Sequence, residues 1–469
     1  MLGVRKLGPG MVVDGYRIEA HLHRGGMAAL WKVTRDDLAA PAVMKTPALS
    51  DPSDPTGIVS FEVEQMIMPL LTGPHVPRYL AAGGFEEQPY IVMELLEGDS
   101  LRARFDQAPL PLDEVARIGS QVATALHALH HQRVIHFDLK PSNVMFRPGA
   151  DGQPADAVLI DYGLARHERL PDLLAEEFRV PMGTGPYISP EQVLRQRNDP
   201  RSDLFSLGVL LYHLVTGQRP FGFPSSISGL RKRLWQAPVP PRRLRPEMAP
   251  WMQEVILRCL EVDAEQRYGS AAQLAFDLAH PEEVQLTERA ERSKGTSWLD
   301  GLRMRWRAVL PEPAAHSVSS QLARAPIVMA SVDVTQEHEA LADAVRAMVR
   351  QAVQALPNAR VACVTVLRTN RIGMDQTTDS EGRNLHVRRL IELQHWARPL
   401  QLPPGRVTFH VLESPDLAAA LLQYATDNRV DQIVIGSRGP SAALKRYLGS
   451  VTTEVVARAE CTVTVVRVG

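Results

Sequence analysis

The stretch Val134–Phe146, V-I-H-F-D-L-K-P-S-N-V-M-F, constrains this chain more than any other. Two short apolar runs, Val134-Ile135 and Val144-Met145-Phe146, flank a polar loop that presents Asp138, Lys140 and Asn143. A carboxylate, an ammonium and an amide at this spacing suit transfer of a phosphoryl group to a hydroxyl. The carboxylate accepts the hydroxyl proton, the lysine neutralises charge on the moving group, and the amide oxygen binds Mg²⁺. Eighteen residues after Asn143, the run Val158-Leu159-Ile160 enters Asp161-Tyr162-Gly163, a strand ending in a second carboxylate for metal.

Together, and in this order, the two motifs resemble those of the protein kinase family. H-F-D-L-K-P-x-x-N is similar to its catalytic loop and D-Y-G to its metal-binding D-F-G. The resemblance implies an α+β bilobal fold that uses ATP with Mg²⁺, or Mn²⁺ in its place. In those terms Asp138 positions and deprotonates the substrate hydroxyl, Lys140 stabilises the transferring phosphoryl, and Asn143 and Asp161 hold the metal.

The rest of the N-terminal half is read against that expectation. Tyr16–Leu22 predicts a strand entering the turn His23-Arg24-Gly25-Gly26-Met27-Ala28 and leaving through Ala29–Val33. Bacterial Ser/Thr kinases read L-G-x-G-G-M-G here, which puts Leu22, Gly25 and Gly26 over the nucleotide, where glycines let backbone N–H groups approach phosphates. The first and third glycine places are taken by His23 and Ala28. Ala42-Val43-Met44-Lys45 is similar to the family's V-A-I-K, whose lysine pairs with the α/β-phosphates and a helix glutamate. Glu62 and Glu64 compete for that partnership, and the family's F-x-x-E, counted from Phe61, favours Glu64. Tyr90–Glu97 reads as a buried strand entering a hinge, with Met93 as gatekeeper and Glu94 to Leu96 offering backbone groups to adenine. Leu112–Gln132 has the 3.6-residue period of a scaffold helix.

Leu164–Gly183 contains neither Ser nor Thr, and the arginine that precedes the catalytic aspartate in phosphorylation-controlled kinases is replaced by Phe137. Both halves of that switch are missing together, so activation is expected not to depend on phosphorylation in this segment. Thr184 in G-T-G-P-Y-I-S-P-E, with Lys140, points to Ser/Thr substrates. Ser189-Pro190-Glu191 is similar to A-P-E; its glutamate is expected to pair with Arg267, and Asp203 to hold the catalytic loop from below. The kinase-like part covers 11–281.

Composition sets the outer bounds. A chain of 469 residues holds two or three domains. Lys+Arg is 52 against Asp+Glu 53, so no basic footprint points to nucleic acid. Cys259, Cys363 and Cys461 are far apart, with neither metal-ligand spacing nor a disulfide framework. Met1–Gly10 has no apolar core, and no window reaches the roughly 18–20 apolar residues of a membrane span. These readings imply a soluble, cytoplasmic protein.

Residues 282–325 read as a linker, in which Trp298–Leu310 sets Leu299, Leu302, Trp306 and Val309 on one helical face. That face fits either an anionic membrane surface or a neighbouring domain. In 326–469, strands at Ile327–Val332, Arg360–Leu367, Val407–Leu412, Gln432–Ile435 and Thr462–Val468 alternate with helical stretches. That alternation predicts an α/β doubly wound parallel sheet, with ligands at the carboxyl ends of its strands. Gly436, Gly439, Gly449 and Ser450 in G-x2-G-x9-G-S resemble the ATP-binding signature of the universal stress protein family, with Asp333 near adenine and ribose. Arg438, Ser450 and Thr452 would add donors around phosphates. That family often dimerises through its last strand, and Thr462–Val468 is apolar enough to pair at an edge, so the resemblance leaves a homodimer open. The second domain is thus either a nucleotide sensor or a dimerisation module.

The combined expectation is an ATP-dependent Ser/Thr protein kinase in stress signalling, acting on protein substrates. The alternative is a pseudokinase that serves as a nucleotide-gated scaffold.

Overall fold

The computed structural model describes residues 7–48, 55–148, 154–293, 325–334, 339–356, 358–369, 384–403, 405–437 and 449–468. The first layer is an antiparallel sheet of six strands: β1 (Val12–Val13), β2 (Tyr16–Arg24), β3 (Ala28–Thr34), β4 (Ala42–Pro47), β5 (Tyr79–Gly83) and β6 (Tyr90–Glu94). Their order is β1-β2-β3-β4-β6-β5. Successive side chains of a strand point to opposite faces, and here that alternation divides the core. Tyr16, Ile18, Val33, Ala42, Met44, Tyr90 and Val92 pack on one face. Val43, Ile91 and Met93 pack on the other, with Ile58, Phe61, Val63 and Ile67 of the helix Thr56–Ile67. Lys45 follows Val43 by two residues and therefore faces that helix.

Below the sheet lies a helical lobe. The helix Leu112–His131 buries the stripe Val115, Ile118, Val122, Leu126 and Leu129, as its period requires. The helix Arg201–Thr216 is buried almost all round and forms the lobe's centre, ending at Gly217 with φ +71°. Close approach fixes two glycines here. A Cβ on Gly119 would meet Leu211 at 2.7 Å, and one on Gly208 would meet Cys259 at 2.6 Å. Four short strands, β7 (Val134–Ile135), β8 (Val144–Pro148), β9 (Pro154–Leu159) and β10 (Arg166–His167), pair as β7–β10 and β8–β9. They bring the loop after β7 and the turn after β9 together at the mouth between the lobes.

The C-terminal unit is the expected doubly wound sheet. Its strands β11 (Ile327–Ser331), β12 (Arg360–Arg368), β13 (Val407–Ser414), β14 (Gln432–Gly436) and β15 (Thr462–Val466) are all parallel, in the order β13-β12-β11-β14-β15. Val328, Ala330, Val361 and Cys363 face the helices Glu339–Ala355 and Leu385–Ala397. Ile327, Met329, Ala362 and Val364 face the helices Leu417–Asp427 and Ser450–Arg458. The order reverses at β11, so the crevice lies beyond the ends of β11 and β14.

The last strand ends at Val466 rather than Val468. The helix read at Trp298–Leu310 lies outside the described residues. Among the described residues no helix is long and apolar enough to cross a membrane. One buried apolar cluster runs from the helical lobe into the C-terminal unit, with Leu170, Phe178, Val407 and Phe409 partly buried against it.

Candidate active site

Strand β4 delivers Lys45 to the helix Thr56–Ile67, where Lys45 Nζ lies 2.5 Å from Glu64 Oε2 and 2.8 Å from Asp161 Oδ1. Burial alone would push the Lys45 ammonium down, but the Asp161 and Glu64 carboxylates outweigh it and hold it above its usual value. Burial pushes Glu64 up, whereas Asp161, despite its burial, is held well below the carboxylate range by Lys45. A charged lysine is thus locked between one carboxyl from the helix and one from the D-Y-G turn. Glu64 Oε1 also accepts the Tyr162 N–H at 3.4 Å. Of the two competing glutamates, Glu64 is the one at Lys45; Glu62 lies within electrostatic reach of Glu177 and His410.

The loop after β7 is fixed from beneath. Asp203, wholly buried in the helix Arg201–Thr216, accepts the N–H groups of His136 and Phe137 at 2.9 Å each and meets His130 Nε2 at 2.9 Å. Phe137 and Asp161 are held at φ +59° and +68°, left-handed conformations that survive only where the surroundings over-determine them. Gln192 Nε2 adds a bond to the Phe137 carbonyl at 2.8 Å.

Above this base the polar side chains converge on Asp138. Its Oδ2 accepts from Lys140 Nζ at 2.6 Å and Asn143 Nδ2 at 3.3 Å. Its Oδ1 accepts from Thr184 Oγ1 at 2.7 Å and the Thr184 N–H at 3.1 Å. His136 Nε2, 3.1 Å from the Ile160 carbonyl, links this loop to the strand that carries Asp161.

At the sheet edge Gly25 N–H bonds the Ala28 carbonyl at 2.9 Å and closes the β2–β3 turn. A Cβ on Gly25 would find only ordinary contacts, and one on Gly26 would meet nothing within 4 Å. Folding itself therefore demands neither glycine. Leu22, exposed, sits where the β2–β3 register shifts between His21 and His23. Met93 is buried, the Glu94 carboxylate is gripped by Arg147, and the Glu94 N–H is spent on the Arg78 carbonyl. Leu96 follows in the irregular connection out of β6.

In the C-terminal unit a cleft of about 290 Å³ opens beyond β11 and β14, lined by Asp333, Leu341, Thr365, Gly436, Gly449 and Ser450 among others. A Cβ on Gly436 would stand 2.9 Å from Leu341, so packing against the helix Glu339–Ala355 already requires glycine there. Thr452 Oγ1 donates to the Gly436 carbonyl at 3.1 Å, and the Gly449 N–H to Ser437 Oγ at 3.4 Å. Thr452 thus ties the helix to β14 instead of offering its proton to the cleft. Gly449 caps the helix Ser450–Arg458 without a side-chain acceptor. Arg438 and Gly439 lie outside the described residues.

The family model described as "Protein kinase domain" matches residues 16–278, more than half of the chain. The chain belongs to the protein kinase family. The model of the universal stress protein family matches residues 324–467, so a universal stress protein domain follows the kinase domain. "Serine/threonine-protein kinase pkn3" of Myxococcus xanthus is 32% identical over 332 residues, covering 69% of this chain and 59% of that protein. "Serine/threonine-protein kinase pkn2" of the same organism is 33% identical over 275 residues, 57% of this chain and 33% of that protein. "Probable serine/threonine-protein kinase PknB" of Lactococcus lactis is 29% identical over 271 residues, 57% and 42% respectively. The chain thus spans between about a third and three fifths of the length of these relatives.

Sequence reasoning missed what stands in place of a phosphorylated loop in the kinase domain. The Arg197 guanidinium lies 4.6 Å over the Phe137 ring, its Nε is 2.9 Å from Asp172 Oδ2, and it bonds the Leu164 carbonyl at 2.8 Å. An arginine from elsewhere in the chain and a built-in carboxylate pin the segment after D-Y-G. No local motif marks Arg197, because its partners come together only in the folded lobe.

Proposed function

We propose that the chain is an ATP-dependent serine/threonine protein kinase whose C-terminal domain is a regulatory nucleotide-binding module. The observation that carries the reading is the Lys45 ammonium held between Glu64 and Asp161 beside an Asp138 ringed by donors. Lys45 with Glu64 would fix the α/β-phosphates, and Lys140 would stabilise the transferring phosphoryl. Asp138 would take the proton of a Ser or Thr hydroxyl that displaces one of its present donors. Gly25 and Gly26 suit a phosphate better than a fold requirement, since neither has a steric reason within the chain. Met93, Glu94 and Leu96 would border the adenine.

Among the described residues no three His, Cys, Asp or Glu side chains gather as a self-contained metal site. Asp161 and Asn143 offer two hard oxygens, and this fits Mg²⁺, or Mn²⁺, which in such sites takes one or two protein oxygens plus nucleotide phosphates. When bound, the ion would neutralise phosphate charge.

In the universal stress protein domain, Asp333, Gly436, Gly449, Ser450 and Thr452 border the proposed nucleotide site, to which the sequence pattern would add Arg438 and Gly439, outside the described residues. The cleft at the switch point and the uncapped helix N-terminus support it. The outer edge of β15 offers a route to a homodimer. A cytoplasmic setting suits three free thiols, two of them buried. The kinase domain is taken as 11–281, the linker as 282–325 and the second domain as 326–469.

The test is incorporation of γ-labelled phosphate with Mg²⁺, comparing wild type with Asp138→Asn. The variant should lose at least about a hundredfold in rate while binding ATP as before. Near-wild-type turnover would remove Asp138 from its role. No label from the wild type, alongside tight nucleotide binding, would favour the scaffold reading that His23 and Ala28 in the glycine turn invite.

A further inference from the structure

The five-residue helix Leu173–Glu177, within the segment after D-Y-G, is gripped by the second domain. Arg360 of β12 places Nη2 2.6 Å from Glu176 Oε1. His410 of β13 sets Nε2 3.0 Å from Glu176 Oε2 and Nδ1 2.9 Å from Glu177 Oε1. Tyr424 OH donates to Glu176 Oε2 at 3.2 Å, and Arg179 pairs with Asp427 at 2.8 Å. The contacts to the two glutamates are not surface pairs, although Arg179–Asp427 at the rim is: the His410 side chain is fully buried, and those of Glu176 and Glu177 are 10% and 6% exposed.

The same short helix packs against the helix Thr56–Ile67, which carries Glu64. Its other end is held by Asp172, which caps it by accepting the Ala175 N–H at 3.2 Å and binds Arg197. A continuous path therefore runs from the second domain through Leu173–Glu177 to the helix that presents Glu64 to Lys45. Two carboxylates on a segment this short are stable away from water only while their cationic partners are in place. If the second domain leaves, Glu176 and Glu177 return to solvent and the segment loses that anchor.

We propose that Arg360, His410 and Tyr424 are positioning residues for phosphoryl transfer, which dock the second domain on Glu176 and Glu177 and thereby keep Glu64 on Lys45. The docked domain takes over a task that loop phosphorylation performs elsewhere, in a segment that has no Ser or Thr to phosphorylate. The proposal rests on the kinase reading above and gives the second domain an activating direction.

The experiment uses the full chain as wild type, Arg360→Glu, Arg360→Lys and the exchanged pair Arg360→Glu with Glu176→Arg. Two quantities are read: kcat for γ-phosphoryl transfer, and hydrogen exchange across 56–67 and 173–179. Arg360→Glu, which changes no residue of the kinase domain, should lower kcat about tenfold, within the usual span of coupling between sites, and speed exchange in both segments. Arg360→Lys should retain most of the rate, and the exchanged pair should recover part of both readouts.

Unchanged exchange in 56–67 on Arg360→Glu overturns the proposal, whatever the transfer rate. Faster exchange with an unchanged or raised kcat also overturns it, since docking would then be inert or inhibitory. A wild type that transfers no phosphate fails the kinase reading instead and leaves the exchange measurement to decide the docking.

Discussion

Arg197 and Asp172 bear on how a catalytic loop without its preceding arginine stays in place. Phe137 gives the loop an aromatic face, and the Arg197 guanidinium covers it while binding Asp172. Asp172→Asn keeps an oxygen to cap the helix Leu173–Glu177 but removes the charge that matches a nearly buried guanidinium. Breaking a buried pair by removing one partner costs about 3 kcal/mol, so urea unfolding should lose about that much. Phosphoryl transfer should fall with it, because the same contact orients Phe137 and hence Asp138. A stability change under about 0.5 kcal/mol would mean that Arg197 is held by its carbonyl bonds and the ring alone. Lys45, Glu64, Asp138, Asn143 and Asp161 could be read from the sequence because each sits in a short motif with fixed spacing. Arg197 could not, since sixty residues separate it from Phe137 and only folding brings them together.

Between elements, the scaffold depends on one ion pair and on glycines at helix crossings. Arg267 Nη2 lies 2.7 Å from Glu191 Oε1 and Nη1 3.0 Å from Oε2, while Ser202 Oγ donates to Oε2 at 2.9 Å. Arg267→Ala should cost about 3–5 kcal/mol in denaturant unfolding while the folded fraction keeps the wild-type KM for ATP, since the pair is remote from the nucleotide. A shifted KM at unchanged stability would contradict a scaffold role. Gly208→Ala would drive a methyl against Cys259 and Leu260, and the resulting overpacking should cost about 1–3 kcal/mol. Strand alternation gave the parallel sheet of the second domain, though not its strand order, and helical period gave Leu112–Gln132; the helix Arg201–Thr216 was not legible, because it is buried almost all round and shows no one-sided period. The docking surface was not legible either. Glu176-Glu177 sits in no motif, and nothing local says that His410 and Arg360 will cover it.

For the whole molecule the sharpest consequence is a dependence on pH. His410 faces Glu176 and Glu177 of the kinase domain, with Arg360, Thr408 and Tyr424 on its own side and Glu62 within reach. Burial would lower the imidazole, but the two carboxylates that bond it prevail and raise it from 6.5 to about 9. A cation favoured in the docked state adds stability that is complete below about 6.5 and lost as pH climbs towards 9. Glu62, pushed up from 4.5 to about 8 by burial and by Glu177, acts in the same direction, because its ionisation opposes docking. Glu176 acts at the other end. Despite its burial, His410 and Arg360 hold it at about 2, so its contribution is full above about 4.5 and fades below that. Docking should therefore be tightest near pH 4.5, weaken gradually above it as Glu62 is driven to ionise, and loosen faster from about 6.5 towards 9 as His410 loses its proton. Hydrogen exchange over 173–179, corrected for its intrinsic pH dependence, should show protection falling from pH 6.5 to 9. His410→Gln should flatten much of that fall and leave the part due to Glu62. Protection that stays level to pH 9 in the wild type would mean that the imidazole is not charged between the two glutamates, and the contact would then be held by Arg360, Tyr424 and the Arg179–Asp427 pair.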